Sequence, residues 1–232
     1  MKQIHLNADR SDQRGLARRS FLKWSGAAAA AAVAFGVDVP GLRLNQAFAQ
    51  SRAVDLGAGD IGVLNYAYAL EQLEAAFYTE VMAAPYAGMS KYERSLLNDI
   101  RGHEVAHREF FKKALGQNAI PGLTPNFSAV NFADRSSVLK TAMTFEDLGV
   151  SAYNGGGAAI KTPAYLAAAG SIVSVEARHA ATIRDMLSPF TASFAGDDVV
   201  DRNGLDVAKP PSAVLRAAGP FIATPITASQ LP

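Results

Sequence analysis

Four glutamates sit on helical apolar stripes, where charge does not belong, and this pattern constrains the fold more than any other feature. Glu71 lies in the stripe Leu64, Tyr68, Ala75, Tyr78, and Glu104 in Leu97, Ile100, Phe111. Glu146 lies in Leu139, Met143, Val150, Tyr153, and Glu176 in Ala169, Ile172, Ile183, Met186. Spacings of three and four residues put each set on one helix face, the face that normally turns toward a core. Two of these glutamates are followed three residues later by histidine, in Glu104-Val105-Ala106-His107 and Glu176-Ala177-Arg178-His179. An i, i+3 pair shares a face, so each Glu and its His point at one spot. Four uncompensated buried carboxylates would cost several kcal/mol each. Two divalent metal ions would supply four positive charges against them, and mixed oxygen and imidazole ligands suit iron, manganese or zinc. The alternative compensation is a network of ion pairs with Arg101, Arg108 and Arg178, which needs no metal.

The pattern occurs twice. Glu71-Gln72-Leu73 with Tyr78 seven residues on matches Glu146-Asp147-Leu148 with Tyr153, and the two Glu-x-x-His motifs follow after gaps of 33 and 30 residues. Each half therefore delivers one Glu, then Glu plus His. Glu74 competes with Glu71 but lies about 60° round the helix. Glu71 is preferred because it aligns with Glu146 in the repeat. His103, next to Glu104, is a candidate for orienting a ligand; its ring points away from the His107 stripe, which favours a solvated role.

These stripes place helices at about 60–81, 91–115, 136–153 and 163–186. Ser90 and Glu93 form a capping box for the second, Asn154-Gly155-Gly156-Gly157 stops the third, and Pro163 suits the first turn of the fourth. The stretch 116–135, with Pro121, Gly122, Pro125 and Asn126, is a long connection that fits a bundle with one crossover. The fold class is therefore all-α: a four-helix bundle over 60–186, with a linker at 50–59 before it. Residues 187–232 carry six prolines, lack a sustained helical period, and read as an extended arm or loops laid over the bundle.

This constellation resembles the ferritin-like superfamily of di-metal carboxylate bundles, in which two helices each give one Glu and two each give Glu-x-x-His. The segments Leu70-Glu71-Gln72-Leu73-Glu74-Ala75-Ala76-Phe77-Tyr78 and Tyr165-Leu166-Ala167 through Val175-Glu176-Ala177-Arg178-His179-Ala180-Ala181 are similar to a desiccation-related, stress-responsive branch. The resemblance implies that Glu71, Glu104, His107, Glu146, Glu176 and His179 hold two iron (or manganese) ions, with Tyr78 and Tyr153 close by. It implies an oxidoreductase that oxidises Fe(II) or disposes of peroxide, with O2 or H2O2 as partner, and allows a homodimer. The same branch also allows a non-catalytic stress protein whose metal site is structural or degenerate. Iron storage in a shell fits less well, because cage members end in a short fifth helix and this chain ends in the Pro-rich extension. One departure concerns the position before each Glu-x-x-His. Many family members carry Asp there to orient the opposite His, whereas this chain has His103 and Val175.

The first 49 residues read as an address. Arg10, Arg14, Arg18 and Arg19 make a basic stretch, and Ala17-Arg18-Arg19-Ser20-Phe21-Leu22-Lys23 resembles the bacterial twin-arginine export signal. A short apolar run from Gly26 to Val37 and the cleavage-like Ala47-Phe48-Ala49 follow, leaving Gln50 as the expected mature N-terminus. The expected location is the periplasm or beyond, reached through the twin-arginine machinery. These 49 residues hold seven of the 22 basic and three of the 21 acidic residues, so the remainder has 15 and 18 and a net charge of −3. That balance gives no electrostatic reason to expect nucleic acid. The absence of cysteine excludes disulfides, thiolate metal sites and a cysteine nucleophile. No apolar run is long enough for a transmembrane anchor.

Overall fold

A computed structural model describes residues 53–231, so the address read in 1–49 lies outside the described residues. Strand β1 (Val54–Asp55) leads into helices α1 (Gly59–Ala83), α2 (Lys91–Leu115), α3 (Arg135–Gly157) and α4 (Pro163–Leu187), then the short helix α5 (Pro211–Ala218) and strand β2 (Ile226–Thr227). The architecture is an all-α bundle of two helical hairpins, α1 on α2 and α3 on α4, with α1 also packed on α3.

Local chemistry sets the helix ends. Ser90 Oγ accepts from the Glu93 amide at 3.1 Å and the Glu93 carboxylate accepts from the Ser90 amide at 2.9 Å, so the capping box forms. The other Glu93 oxygen accepts from Arg135 Nε at 2.6 Å, and Arg135 also donates to the Met186 carbonyl. One arginine thus ties the start of α3 to the start of α2 and the end of α4. At the opposite end, Asn65 donates to the carbonyls of Leu56 and Asn118 and accepts from the Ile120 amide. The connection after α2 therefore starts at one end of the bundle and finishes at the other, and α2 and α3 run parallel. Along the way it covers α1: Leu123 N donates to the Gln72 side chain, and Phe127 and Phe132 each stand 5.8 Å from the Phe77 ring. This cover explains why α1 buries 16 of its 25 residues while α2 buries six on a single stripe.

Three expectations are corrected. Helix α3 does not stop at Asn154; it runs through the glycines to Gly157. Those glycines provide closeness rather than a break. A methyl group on Gly155 would collide with the Lys209 carbonyl, and the Lys209 amide donates to the Ser151 carbonyl at 3.0 Å. At Gly156 a Cβ would make only ordinary contact with the Tyr66 ring, at 3.5 Å. The described part of the expected linker, 53–59, is more than a linker, because Leu56 is fully buried and β1 pairs in parallel with β2. The C-terminal extension lies on the bundle but is not wholly irregular. Val214 and Ala218 of α5 are fully buried, and Phe221 meets the Phe145 ring edge-on at 4.8 Å. Helix α5 escaped the periodicity reading because eight residues between prolines are too few to show a period. Among the described residues, no helix is long and apolar enough to cross a membrane.

Candidate metal centre

The stripes of all four helices converge at mid-bundle. Glu71, Glu104, Glu146 and Glu176 are fully buried, His179 is buried, and His107 is half-buried. Their inward atoms form two groups, each within 4.8 Å: Glu71, Glu104, His107 and Glu176 in one, Glu104, Glu146, Glu176 and His179 in the other. Glu104 and Glu176 belong to both. Glu104 turns Oε2 toward His107 Nδ1 (3.7 Å) and Oε1 toward His179 Nδ1 (2.9 Å). Glu176 turns Oε1 toward His107 (2.9 Å) and Oε2 toward His179 (3.9 Å). Glu71 and Glu146 each serve one group, through Oε2 at 3.4 Å from His107 and 3.3 Å from His179.

The remaining oxygens of those two glutamates are held from across the bundle. Tyr78 on α1 donates to Glu146 Oε1 at 2.5 Å, and Tyr153 on α3 donates to Glu71 Oε1. Burial, and next the facing carboxylates, hold both phenols well above their usual range, so they remain neutral donors. The eight inward atoms are a different matter. Among the described residues, both oxygens of Glu104 and Glu176, one oxygen each of Glu71 and Glu146, and Nδ1 of both histidines have no hydrogen-bond partner. Each histidine Nδ1 approaches one carboxylate oxygen at 2.9 Å without forming a hydrogen bond to it, and these atoms surround common points. Buried polar groups are almost always satisfied, and eight orphans facing two points fit metal ions.

The arginine network is not formed. Arg108 pairs with Glu109, Arg178 donates to Ser174, and among the described residues Arg101 makes no ion pair. The charge must be handled otherwise in the metal-free protein. Burial, then the Glu104 charge, raises Glu176 to about 8. Burial, then other carboxylates, also raises Glu71, Glu74 and Glu146. At Glu104 burial pushes upward too, but both histidines outweigh it and bring the carboxyl to about 2. Burial would lower the imidazoles; the carboxylates around them prevail and raise His107 to about 12 and His179 to about 10. The metal-free centre is thus a proton-rich cluster in which positive charge is already wanted.

Two further residues belong to this neighbourhood. Glu74 lies outside both groups yet is a fifth buried carboxylate of the same interior. It is accommodated because its repeat equivalent is Gly149, where a Cβ would come within 3.3 Å of Glu74 Oε1 and 3.5 Å of Glu176 Oε2. His103 is exposed, as expected for a solvated residue, but it is also bonded to the site: its Nδ1 lies 2.9 Å from His179 Nε2. The solvated reading missed this bond because it measured His103 against the His107 stripe of its own helix, while its partner sits on α4. An apolar cavity bordered by Leu64, Leu70, Phe111, Tyr165 and Tyr153 also went unseen, since its lining comes from all four helices.

A family model described as a ferritin-like domain matches residues 59–189, from the start of α1 to just beyond α4. No curated protein matches the chain. The matched span covers more than half of the sequence and contains every residue of the Glu/His cluster, and the chain belongs to the ferritin-like family.

Proposed function

We propose that this is an exported di-metal oxidoreductase, holding two iron or manganese ions and oxidising Fe(II) or disposing of peroxide in stress protection. The observation that carries the reading is the set of eight buried, unpartnered ligand atoms divided into two groups with two shared carboxylates. In this reading Glu71, Glu104, Glu176 and His107 hold one ion, and Glu146, Glu104, Glu176 and His179 the other. Bound there, the pair of ions would supply the redox chemistry, sharing electrons toward O2 or H2O2.

The chain supplies the rest. Glu104 and Glu176 present one oxygen to each position and set the spacing. Tyr78 and Tyr153 fix the outer carboxylates with neutral hydroxyl donors, so Glu146 and Glu71 keep one oxygen turned inward. The apolar cavity beside Tyr153 suits passage of a small neutral oxidant and repels bulk ions. Export through the twin-arginine route accepts folded chains, which agrees with metal capture before transport.

The test is metal content. The protein is purified without chelator or affinity metal, and metals per chain are counted by mass spectrometry. About two iron or manganese ions, lost in Glu104→Ala and in Glu176→Ala, are expected. No metal, even after anaerobic Fe(II) or Mn(II), would overturn the reading and leave a non-catalytic stress protein. Metal bound without turnover of Fe(II) or H2O2 would leave the metal site and remove the enzyme.

A further inference from the structure

The repeat is symmetric in its ligands but not in what stands behind the histidines. With Glu104 aligned on Glu176, the residue before each is His103 on α2 and Val175 on α4. His103 reaches the histidine of the other half. Its Nδ1 is 2.9 Å from His179 Nε2, the ring planes differ by 8°, and the centroids are 5.2 Å apart. The centroid separation exceeds the N···N distance by about two ring radii, so the rings meet edge to edge in one plane rather than face to face. Valine has no acceptor, and among the described residues His107 has no hydrogen-bond partner behind it. The His107 side chain is 12 % exposed against 6 % for His179.

We infer that the two metal positions are unequal: His103 makes the position at His179 the tighter one, and that position fills first. This inference rests on the di-metal reading above. His179 offers Nδ1 to the carboxylates, so for that atom to bind a metal its lone pair must be free and its proton must sit on Nε2. Nε2–H then donates to His103 Nδ1 in line with the ring plane. That bond selects the binding tautomer, fixes the ring and raises the basicity of the ligating nitrogen. At His107 the ring must find its orientation against solvent when the metal arrives. The tight position lies wholly among buried residues, and the weaker one includes the half-buried His107. His103 is therefore a positioning residue acting through His179, and the His107 position is the exchangeable one, suited to taking up and releasing a metal ion.

The test is anaerobic calorimetric titration of the full chain with Mn(II). Two binding events are expected, differing in affinity by about 10–100-fold, the range by which such supporting partners act. His179→Ala should remove the tighter event and His107→Ala the weaker. His103→Ala should weaken the tighter event by a similar factor with an unchanged circular-dichroism spectrum, and His103→Asp, which restores an acceptor, should recover it. Val175→Asp should strengthen the weaker event. Two equal events in the unaltered chain, or a His103→Ala effect on the weaker event alone, would overturn the inference while leaving the di-metal reading in place. No binding of Mn(II) or Fe(II) at all would overturn both.

Discussion

The α1–α2 and α3–α4 hairpins present matching side chains inward and different surfaces outward. Inside, each gives one glutamate held by a tyrosine of the other half, then a shared glutamate and a histidine. Outside, the α1 face is covered by the connection between α2 and α3, and the α3–α4 face by the C-terminal extension. Arg184 shows how specific that second cover is. It is buried on α4, holds Asp147 of α3 through two nitrogens, and binds Asp198 and the Ser193 carbonyl of the extension. The difference teaches that the interior answers to chemistry and the exterior to whichever segment the chain has left for cover. A repeat therefore persists at the ligands and the tyrosines that hold them, and is lost on the outward faces.

Ending the chain at Ser188 breaks this comparison most strongly, because it strips the cover of α3 and α4, whereas α1 keeps the α2–α3 connection and loses only the β2 pairing with β1 and the contact with Leu231. The deletion exposes the surfaces under Val214, Ala218 and Phe221 and leaves the Arg184 guanidinium with Asp147 alone of its three partners. Burying an apolar side chain is worth about 1.5–3 kcal/mol, so the loss is about 5 kcal/mol or more. For a protein of this size that lowers the melting temperature by roughly 10–20 °C. Hydrogen exchange should accelerate in α3 and α4 before α1. An unchanged melting temperature would mean that the extension is an accessory and not part of the fold.

The second effect concerns protons. Glu104 and Glu176 are equivalent in the repeat and both face the two histidines, yet the histidines lower Glu104 to about 2, while burial and the Glu104 charge raise Glu176 to about 8. In the metal-free protein Glu176, His179 and His107 all hold protons more tightly folded than unfolded. Their contribution is complete below the unfolded values and is lost as pH rises, through about 8 for Glu176 and about 10 and 12 for the two histidines. Glu104 has the opposite sign, stabilising above its unfolded value of 4.5 and losing this as pH falls through about 2. Metal-free protein should thus be most stable near about pH 5 and melt several degrees lower by about pH 9. Metal-loaded protein should not show the alkaline decline, because metal has replaced the protons. Parallel curves for the two forms would mean that metal binds elsewhere.

The fold was legible because its elements are long. Stripes such as Leu97, Ile100, Glu104 and Phe111 repeat over many turns, and the capping box at Ser90 fixes a boundary to the residue. What escaped depends on distant segments meeting. Gly155 reads as a helix stop until Lys209 is known to lie against it. His103 reads as solvated until His179 is placed beside it from another helix. Strands β1 and β2 are two residues each and exist only through each other, across most of the described chain. At the centre, the six Glu and His residues named from the sequence come together, since i, i+3 spacing and the repeat leave them few other places to point. Burial of Glu74 could have been inferred from the same repeat, because it aligns with a glycine.

That pair offers the finest probe of the two halves. Glu74 and Gly149 occupy equivalent positions, and the carboxyl of one fills the space left by the missing side chain of the other. Burial and then the Glu176 charge hold Glu74 well above the usual carboxylate range. Glu74→Gln keeps the volume, removes a group that charges unfavourably, and should stabilise metal-free protein at alkaline pH by about 1 kcal/mol or slightly more. The gain should fade toward about pH 5, where the carboxyl is protonated in any case. Metal content should remain at about two per chain, because Glu74 belongs to neither ligand group, whereas Glu71→Gln should lower it. Gly149→Ala removes a costly helical glycine, a gain of about 1 kcal/mol, but pushes a Cβ to 3.3 Å from Glu74 Oε1. The two effects should nearly cancel, leaving a change below about 1 kcal/mol in thermal unfolding. Loss of one metal in Glu74→Gln, with none lost in Glu71→Gln, would exchange the roles of the two residues and move the first ligand of α1 one helical turn along the bundle.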